Sequence, residues 1–417
     1  MRKFYFVIAF LMICLSGNSQ DKSVSGTFKQ QRLFEAGTNG YFTYRIASLV
    51  ATKNDVLLAF CAARKGQGGD WDPIDIVMRR SSDLGKTWEP LKVIAHFDDQ
   101  WPTDNATPIV DYQTGSVHLL YGHNIDRCFY IRSDDDGKTF TDQREITSVL
   151  EGFRDQYKWV VTVPGPGHGI QMSNGRLVLP FWMSDGSSKE FGPKLRGHRP
   201  SIVVSVYSDD HGKTWERGEV VAWNDSVIVV PNETSCIQLA DGRVMFNMRN
   251  ESMNYRRLIS YSENGATNWT HPEFADAFFE PICYASMVRY SIKPYQSQNR
   301  ILFCNPDSRN ITMNIWKGAT PYSAASRARK NLSIRMSYDE GVTWPVKKVL
   351  DPDIAGYSDL AVTSDGMIHC FYEGGRISGA KGHTTNSHMS VMHFNLEWLT
   401  DGKDKLIKKD KPLNKLK

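Results

Sequence analysis

Seven cysteines are scattered over 417 residues, and no two stand in C-x-x-C spacing. That spacing gives no reason to expect zinc or a redox dithiol, and it assigns no disulfide. Six of them, Cys61, Cys128, Cys236, Cys283, Cys304 and Cys370, lie in strand-like surroundings, where six buried thiols would serve a chain too long to need staples. Long apolar runs are missing too, apart from Phe4 to Leu15, which follows Arg2 and Lys3 and leads to Gly17 and Ser19. This is the pattern of a signal peptide cut near Ser19, and the run is too short to span a bilayer. Residues 1–19 are therefore expected to be removed, leaving one domain over 20–400 and a basic, flexible tail over 401–417. Basic surface is scarce as well: the formal charge is +4, yet the tail alone carries seven Lys against three Asp. The body is then near neutral, which argues against a nucleic-acid partner. Helical periodicity is confined to short stretches such as "DQREITSVL".

What the sequence does contain is a repeated turn. "SSDLGKTW" from Ser81 returns as "SDDDGKTF" from Ser133, "SDDHGKTW" from Ser208 and "SYDEGVTW" from Ser337, with a degraded copy, "SENGATNW", from Ser262. The third positions, Asp83, Asp135, Asp210, Asn264 and Asp339, are separated by 52, 75, 54 and 75 residues. Periods of this size mark propellers and related arrays. Each copy follows an alternating apolar run such as "IDIVMRR" or "SIVVSVY", so each joins two strands. The Asp can bond the turn's own amides, Gly supplies a positive φ, and the aromatic can pack between neighbouring sheets. At about 65 residues per unit the chain predicts an all-β, six-bladed β-propeller of four-stranded antiparallel blades.

The turn alone is common to enzymes and binding proteins. The segments "YRIASLV" at Tyr44, "LLAFCAARKGQGGDWDPIDIVMRR" from Leu57, "GPGHGIQMSNGRLVLP" from Gly165, "NETSCIQLADGRVMFNMR" from Asn232, "RKNLSIRMSYDEGVTW" from Arg329 and "GYSDLAV" from Gly356 carry more. In this order, and over nearly all of the chain, they resemble the secreted bacterial exo-α-sialidases (neuraminidases), retaining glycoside hydrolases with Asp-box repeats. The resemblance implies a site at the propeller axis that takes terminal sialic acids from glycoproteins, glycolipids and oligosaccharides without a cofactor or metal, and a secreted or periplasmic protein.

Residue by residue, the resemblance implies an arginine cluster of Arg45, Arg249 and Arg329 for the substrate carboxylate. The planar fork of arginine suits a carboxylate. Arg289, Arg327 and Arg335 stand near Arg329 in sequence as alternatives, with Arg335 expected to pair with a neighbour. Tyr357 matches the nucleophile, and a tyrosine nucleophile is the known sialidase departure from the two-carboxylate glycosidase pattern. A phenol with pKa about 10 needs a base beside it, and Glu233 in "NETS" matches that base. Asp70, in the Gly-rich "GQGGDWDPID", matches the acid that protonates the leaving group, with Asp72 and Asp75 as rivals. Arg64 matches a residue lining the sugar, and Glu373 the acidic residue that holds the first arginine. Trp71 and Trp182 are candidates for shaping the pocket or for packing. The chain departs from the family at Ala47, where proline is usual, and at Ala62, where an acid is common. Asn232 opens an N-x-T sequon beside Glu233, and a glycan there would obstruct the site, which fits a compartment without such glycans. A propeller lectin that binds sialosides without cleaving them, and a trans-sialidase or intramolecular sialidase, are the alternatives.

Overall fold

Each repeated turn closes on itself through the same bonds. In the first copy Asp83 accepts the Thr87 amide at 2.9 Å and the Thr87 hydroxyl at 2.6 Å, while the Ser81 hydroxyl accepts the Gly85 amide at 2.9 Å. Asp135, Asp210 and Asp339 repeat this arrangement with Thr139, Thr214 and Thr343. Asn264 keeps only part of it, with its side chain turned to the Thr267 amide at 2.9 Å. The glycine is positive in φ in every copy, from +70° at Gly265 to +91° at Gly341, which a Cβ would strain. The aromatic ends the turn against the core: Trp88, Phe140, Trp215, Trp269 and Trp344 each pack into a different apolar cluster between sheets. The Asp83 carboxyl is held at about 2, chiefly by the Thr87 bonds. Asp83→Ala removes them and is expected to cost about 1–2 kcal/mol of stability, read as a lowered Tm, with turnover per folded molecule unchanged. Equal loss of turnover and stability would show that this turn reaches the site.

The computed structural model describes residues 26–309, 328–379 and 385–407. The expected signal peptide, Cys14, Arg327 and the end of the basic tail lie outside them. At the start of the tail, Asp404 takes a bidentate ion pair from Arg300 at 2.7 Å. Among the described residues no helix is long and apolar enough to cross a membrane, and the six described cysteines are all buried free thiols.

The strands are antiparallel and form five sheets. One contains Thr43–Ala51, Leu57–Arg64, Ile74–Ser81 and Lys92–Ala95. The next contains Thr103–Val110, Val117–His123, Arg127–Ser133 and Arg144–Glu145. A third sets Val161–Pro164 and Ile170–Gln171 beside Leu177–Ser184, then Ser201–Ser208 and Glu216–Ala222. The fourth contains Thr234–Gln238, Val244–Met248, Arg256–Ser262 and Glu273–Phe279. The expectation of six separate four-stranded blades is not met: four discrete blades of four or five strands stand beside one continuous seven-stranded sheet.

That sheet runs from Phe28–Glu35 through His388–Phe394, Ile368–Gly374, Val346–Val362, Lys330–Ser337 and Arg300–Pro306 to Ser286–Ser291. Its continuity rests on the 17-residue strand Val346–Val362, whose first half pairs with Lys330–Ser337 and whose second half pairs with Ile368–Gly374. Pro352 reads as a strand breaker, because proline cannot donate to a ladder. Here it falls where the register shifts, between the pairs Leu332↔Asp351 and Lys330↔Ile354, so it interrupts no ladder bond and the strand continues.

The innermost strands pack in sequence around an axis. Thr43–Ala51 lies against Thr103–Val110, which meets Val161–Pro164; Thr234–Gln238 then meets Ser286–Ser291, and Val346–Val362 returns to Thr43–Ala51. Apolar clusters fill the wedges between sheets, and each draws side chains from two neighbours. An inner strand exposes one edge to the axis, and the amides on that edge need partners from side chains.

Candidate active site

Two carboxylates from the strand pair Val346–Val362 and Ile368–Gly374 satisfy such edge amides. The ladder of Thr43–Ala51 shifts register between Arg45 and Ser48, and Ile46 takes φ +62°. The Ile46 amide donates to Glu373 at 2.9 Å, and the Leu49 amide to Asp359 at 2.8 Å. Glu373 also accepts the Tyr357 amide at 3.2 Å and pairs with Arg45 Nε at 3.2 Å. Burial pushes its carboxyl up, but Arg45 and Arg329 override this and keep it below the usual carboxylate range. Glu373 thus ties the strand carrying Arg45 to the strand carrying Tyr357.

Arg45, Arg64, Asp70, Glu233, Arg249, Arg329 and Tyr357 all line one cavity of about 200 Å³ at the end of the axis. Glu373 lies behind it, 1% exposed. The side chains come from strand ends and the loops beyond them: Arg45 and Arg64 from one hairpin, Glu233 and Arg249 from another, and Tyr357 from the long strand. A larger void of about 360 Å³ opens at the opposite ends of the inner strands, walled by residues such as Leu49, Val110 and Leu360. None of Arg45, Arg64, Asp70, Glu233, Arg249, Arg329 and Tyr357 lines it.

Tyr357 is 4% exposed, and its hydroxyl donates to Glu233 Oε1 at 2.5 Å. Arg249 donates to the same phenolic oxygen at 2.7 Å and forms a very short contact with Glu233 Oε2. The guanidinium carbons of Arg45 and Arg329 lie 5.2 and 5.1 Å from the centre of the phenol ring. Burial and the Glu233 charge raise the phenol's pKa, while the three arginines oppose the rise. The free site therefore holds a protonated tyrosine against an adjacent base.

Asp70 stands in the loop between Leu57–Arg64 and Ile74–Ser81. Its Oδ1 accepts from Arg64 at 2.7 Å and lies 3.5 Å from Arg45. Burial pushes this carboxyl up, yet Arg64, Arg45 and His198 outweigh it and hold it well below the usual range. The rivals are accounted for elsewhere. Asp72 accepts the Gln67 and Gly69 amides at 2.8 Å and caps the Gly-rich loop. Asp75 is bonded to Tyr41, Lys65 and His96 and does not line the cavity.

The arginine alternatives separate in the same way. Arg335 pairs with Asp307, and Arg289 pairs with Glu340 at 2.5 Å in the wall of the opposite void. Arg329 makes no ion pair among the described residues, and its guanidinium donates to the Ile282 carbonyl at 2.6 Å.

Ten residues of the cavity wall escaped the sequence reading, with Asp104, His198 and Phe191 among them. Asp104 lies 3.5 Å from Arg64, and burial raises its carboxyl. Like Arg45, it is the last paired residue before a register shift in its inner strand, a likeness that only the structure shows. His198 and Phe191 come from the loop at 185–200, where no repeat or motif marks them. His198 packs on Phe191 and Trp182 with ring centres 4.5 and 5.4 Å apart, and burial lowers its pKa. Trp182 lines the cavity, whereas Trp71 packs behind it beneath Arg196. Asn232, the sequon residue, is itself in the cavity wall and bonds the Glu233 amide at 2.8 Å.

This arrangement can hold a carboxylate on guanidinium groups, supply a phenolic nucleophile with its base, and place a carboxyl group near a leaving oxygen. Among curated proteins the chain is similar to a sialidase of Micromonospora viridifaciens, at 27% identity over 403 residues that cover 89% of this chain and 54% of that protein. A sialidase of Bacteroides fragilis (strain YCH46) is 26% identical over 370 residues, covering 81% of this chain and 61% of that protein. The chain thus spans between half and two thirds of the length of these relatives. Among solved structures the Hadza microbial sialidase Hz136 shares the fold, with a TM-score of 0.69 at 23% identity over 89% of this chain and 69% of that one. The sequence profile of the BNR repeat-like domain matches residues 54–370, the span that carries all five turns and most of the cavity, and the chain belongs to the BNR repeat-like domain family.

Proposed function

We propose that this protein is a retaining exo-α-sialidase that cleaves terminal α-linked sialic acids from glycoconjugates. The observation that carries the reading is the Glu233–Tyr357–Arg249 contact, a phenol bonded to a base and a guanidinium, in the same cavity as Asp70, Arg45 and Arg329.

The substrate carboxylate binds Arg45, Arg249 and Arg329. Tyr357 Oη attacks the anomeric carbon as its proton passes to Glu233, and the aglycone oxygen leaves with a proton from Asp70. Water then attacks the tyrosyl-linked carbon, Asp70 takes the water's proton, and the phenolate leaves and is reprotonated by Glu233. Two inversions give retention.

Asp70 is ionised in the free site because Arg64 and Arg45 lie against it. A substrate carboxylate on Arg45 offsets one of these charges and brings the carboxyl back toward protonation. Arg64 and Asp104 border the sugar on the Asp70 side, and Glu373 holds Arg45 in place. Export after removal of residues 1–19, to a periplasm or the cell exterior, and a catalytic domain over 20–400 belong to the same reading.

The test is product analysis with aryl and α2,3- or α2,6-linked sialosides. Free sialic acid as the first-formed product, released as the α-anomer, supports hydrolysis with retention. Tight sialoside binding without release would replace it with the lectin reading.

A further inference from the structure

The three arginines of the proposed carboxylate cluster are held differently. Arg45 has Glu373 and Arg249 has Glu233, whereas the direction of Arg329 rests on the Ile282 carbonyl. Ile282 sits in a turn at 280–284 and has φ +57°, a left-handed conformation that a β-branched residue adopts only when its surroundings impose it. What imposes it is a buried ion pair. Arg257 and Glu280 are 0% and 1% exposed and meet at 2.8 Å. Arg257 also donates to the Cys283 carbonyl at 3.0 Å and the Asn247 carbonyl at 3.0 Å, and the other Glu280 oxygen accepts the Cys283 amide at 3.0 Å. The turn is clamped on both sides of Ile282.

The same turn supports the proposed nucleophile. Cys283 and Tyr284 pack in one buried cluster with Ile46 and Tyr357, and the Tyr284 and Tyr357 ring centres are 6.0 Å apart. A Cβ on Gly167 would fall 1.8 Å from the Tyr284 hydroxyl, so the turn is also closed from the far side of the axis. Burial disfavours both charges, lowering Arg257 and raising Glu280. Such a pair often adds little net stability over an apolar pair of similar volume. Its effect then lies in geometry.

We propose that Arg257 and Glu280 are positioning residues for the anion site: by clamping the turn at 280–284 they aim the Ile282 carbonyl at Arg329 and so set the third guanidinium of the carboxylate cluster. This rests on the sialidase reading above.

The experiment compares the wild type, Glu280→Gln, Arg329→Met, their combination, and the apolar double variant Arg257→Met with Glu280→Leu. Each is read by Tm, by kcat and KM on an aryl sialoside, and by the Kd of free N-acetylneuraminic acid. The apolar double variant is expected to keep its Tm within a few degrees, while Kd and KM rise about tenfold or more and kcat changes less. Glu280→Gln should raise Kd similarly, and adding it to Arg329→Met should raise Kd no further, because both act through one guanidinium. Wild-type Kd in either Glu280 variant, or fully additive effects with Arg329→Met, overturns the inference. If the apolar variant does not fold, the Glu280→Gln cycle decides. A wild type that neither cleaves sialosides nor binds sialic acid defeats the functional reading instead.

Discussion

Tyr357→Phe is expected to lower kcat/KM on sialosides by about a thousandfold or more, because it deletes the one oxygen that would form the covalent intermediate. The substitution is nearly isosteric. The ring keeps its place under Arg45 and Arg329, whose guanidinium carbons lie 5.2 and 5.1 Å from its centre. Glu233 keeps Arg249 as a partner, so no buried charge is left alone. Folding should therefore survive, and Tm reports whether it does. A mechanism-based fluorinated sialosyl fluoride separates the roles further: the wild type should gain the mass of one sialosyl group on the peptide containing Tyr357, and the variant should gain none. A variant that keeps more than a tenth of wild-type turnover would remove Tyr357 from the chemistry.

Asp70→Ala should cost about 10²–10⁴-fold on natural glycosides, the usual range for losing a general acid or base. The loss depends on the leaving group. An aryl sialoside whose phenol departs without a proton should lose far less in the first step, and the tyrosyl intermediate should then accumulate because water activation has lost its base. Asp70 also predicts a pH effect. In the free enzyme Arg64 and Arg45 hold this carboxyl below the ordinary range, so its protonated fraction falls away at low pH. Binding an anion to Arg45 raises it. The basic limb of kcat, which reports the bound state, should therefore lie at higher pH than that of kcat/KM, which reports the free one. Coincident limbs, or an equal loss on all leaving groups, would place the proton transfer elsewhere.

The turns were legible because their bonds are local: Ser81, Asp83, Gly85 and Thr87 lie within seven residues and satisfy one another. The cavity residues were legible only where an unrepeated motif surrounded them, as around Arg45, Asp70, Glu233 and Tyr357. Asp104, His198 and the Arg257–Glu280 pair were not, since their partners come from other strands and loops and no spacing in the sequence encodes the meeting. The division into six blades failed at Val346–Val362, because a repeat period carries no sign that one long strand pairs with a neighbour along each half, which only the register reveals. Asp70 was preferred to Asp72 and Asp75 on the motif alone, and the structure places Asp70, but neither rival, in the cavity wall.

The strand Phe28–Glu35 pairs with His388–Phe394, so the two ends of the described chain are neighbours in one sheet. Phe28 stacks on Trp398 at 4.6 Å, and the Thr27 amide bonds Asn395 at 3.0 Å. The molecule is a belt whose buckle is made from its first and last strands. During synthesis the first strand must wait, with its edge unpaired, until more than three hundred residues have followed it. The proposed nucleophile Tyr357 and Glu373, the carboxylate that holds its strand, belong to the same late-arriving stretch. Closing the belt and completing the proposed site thus draw on the same late stretch of chain.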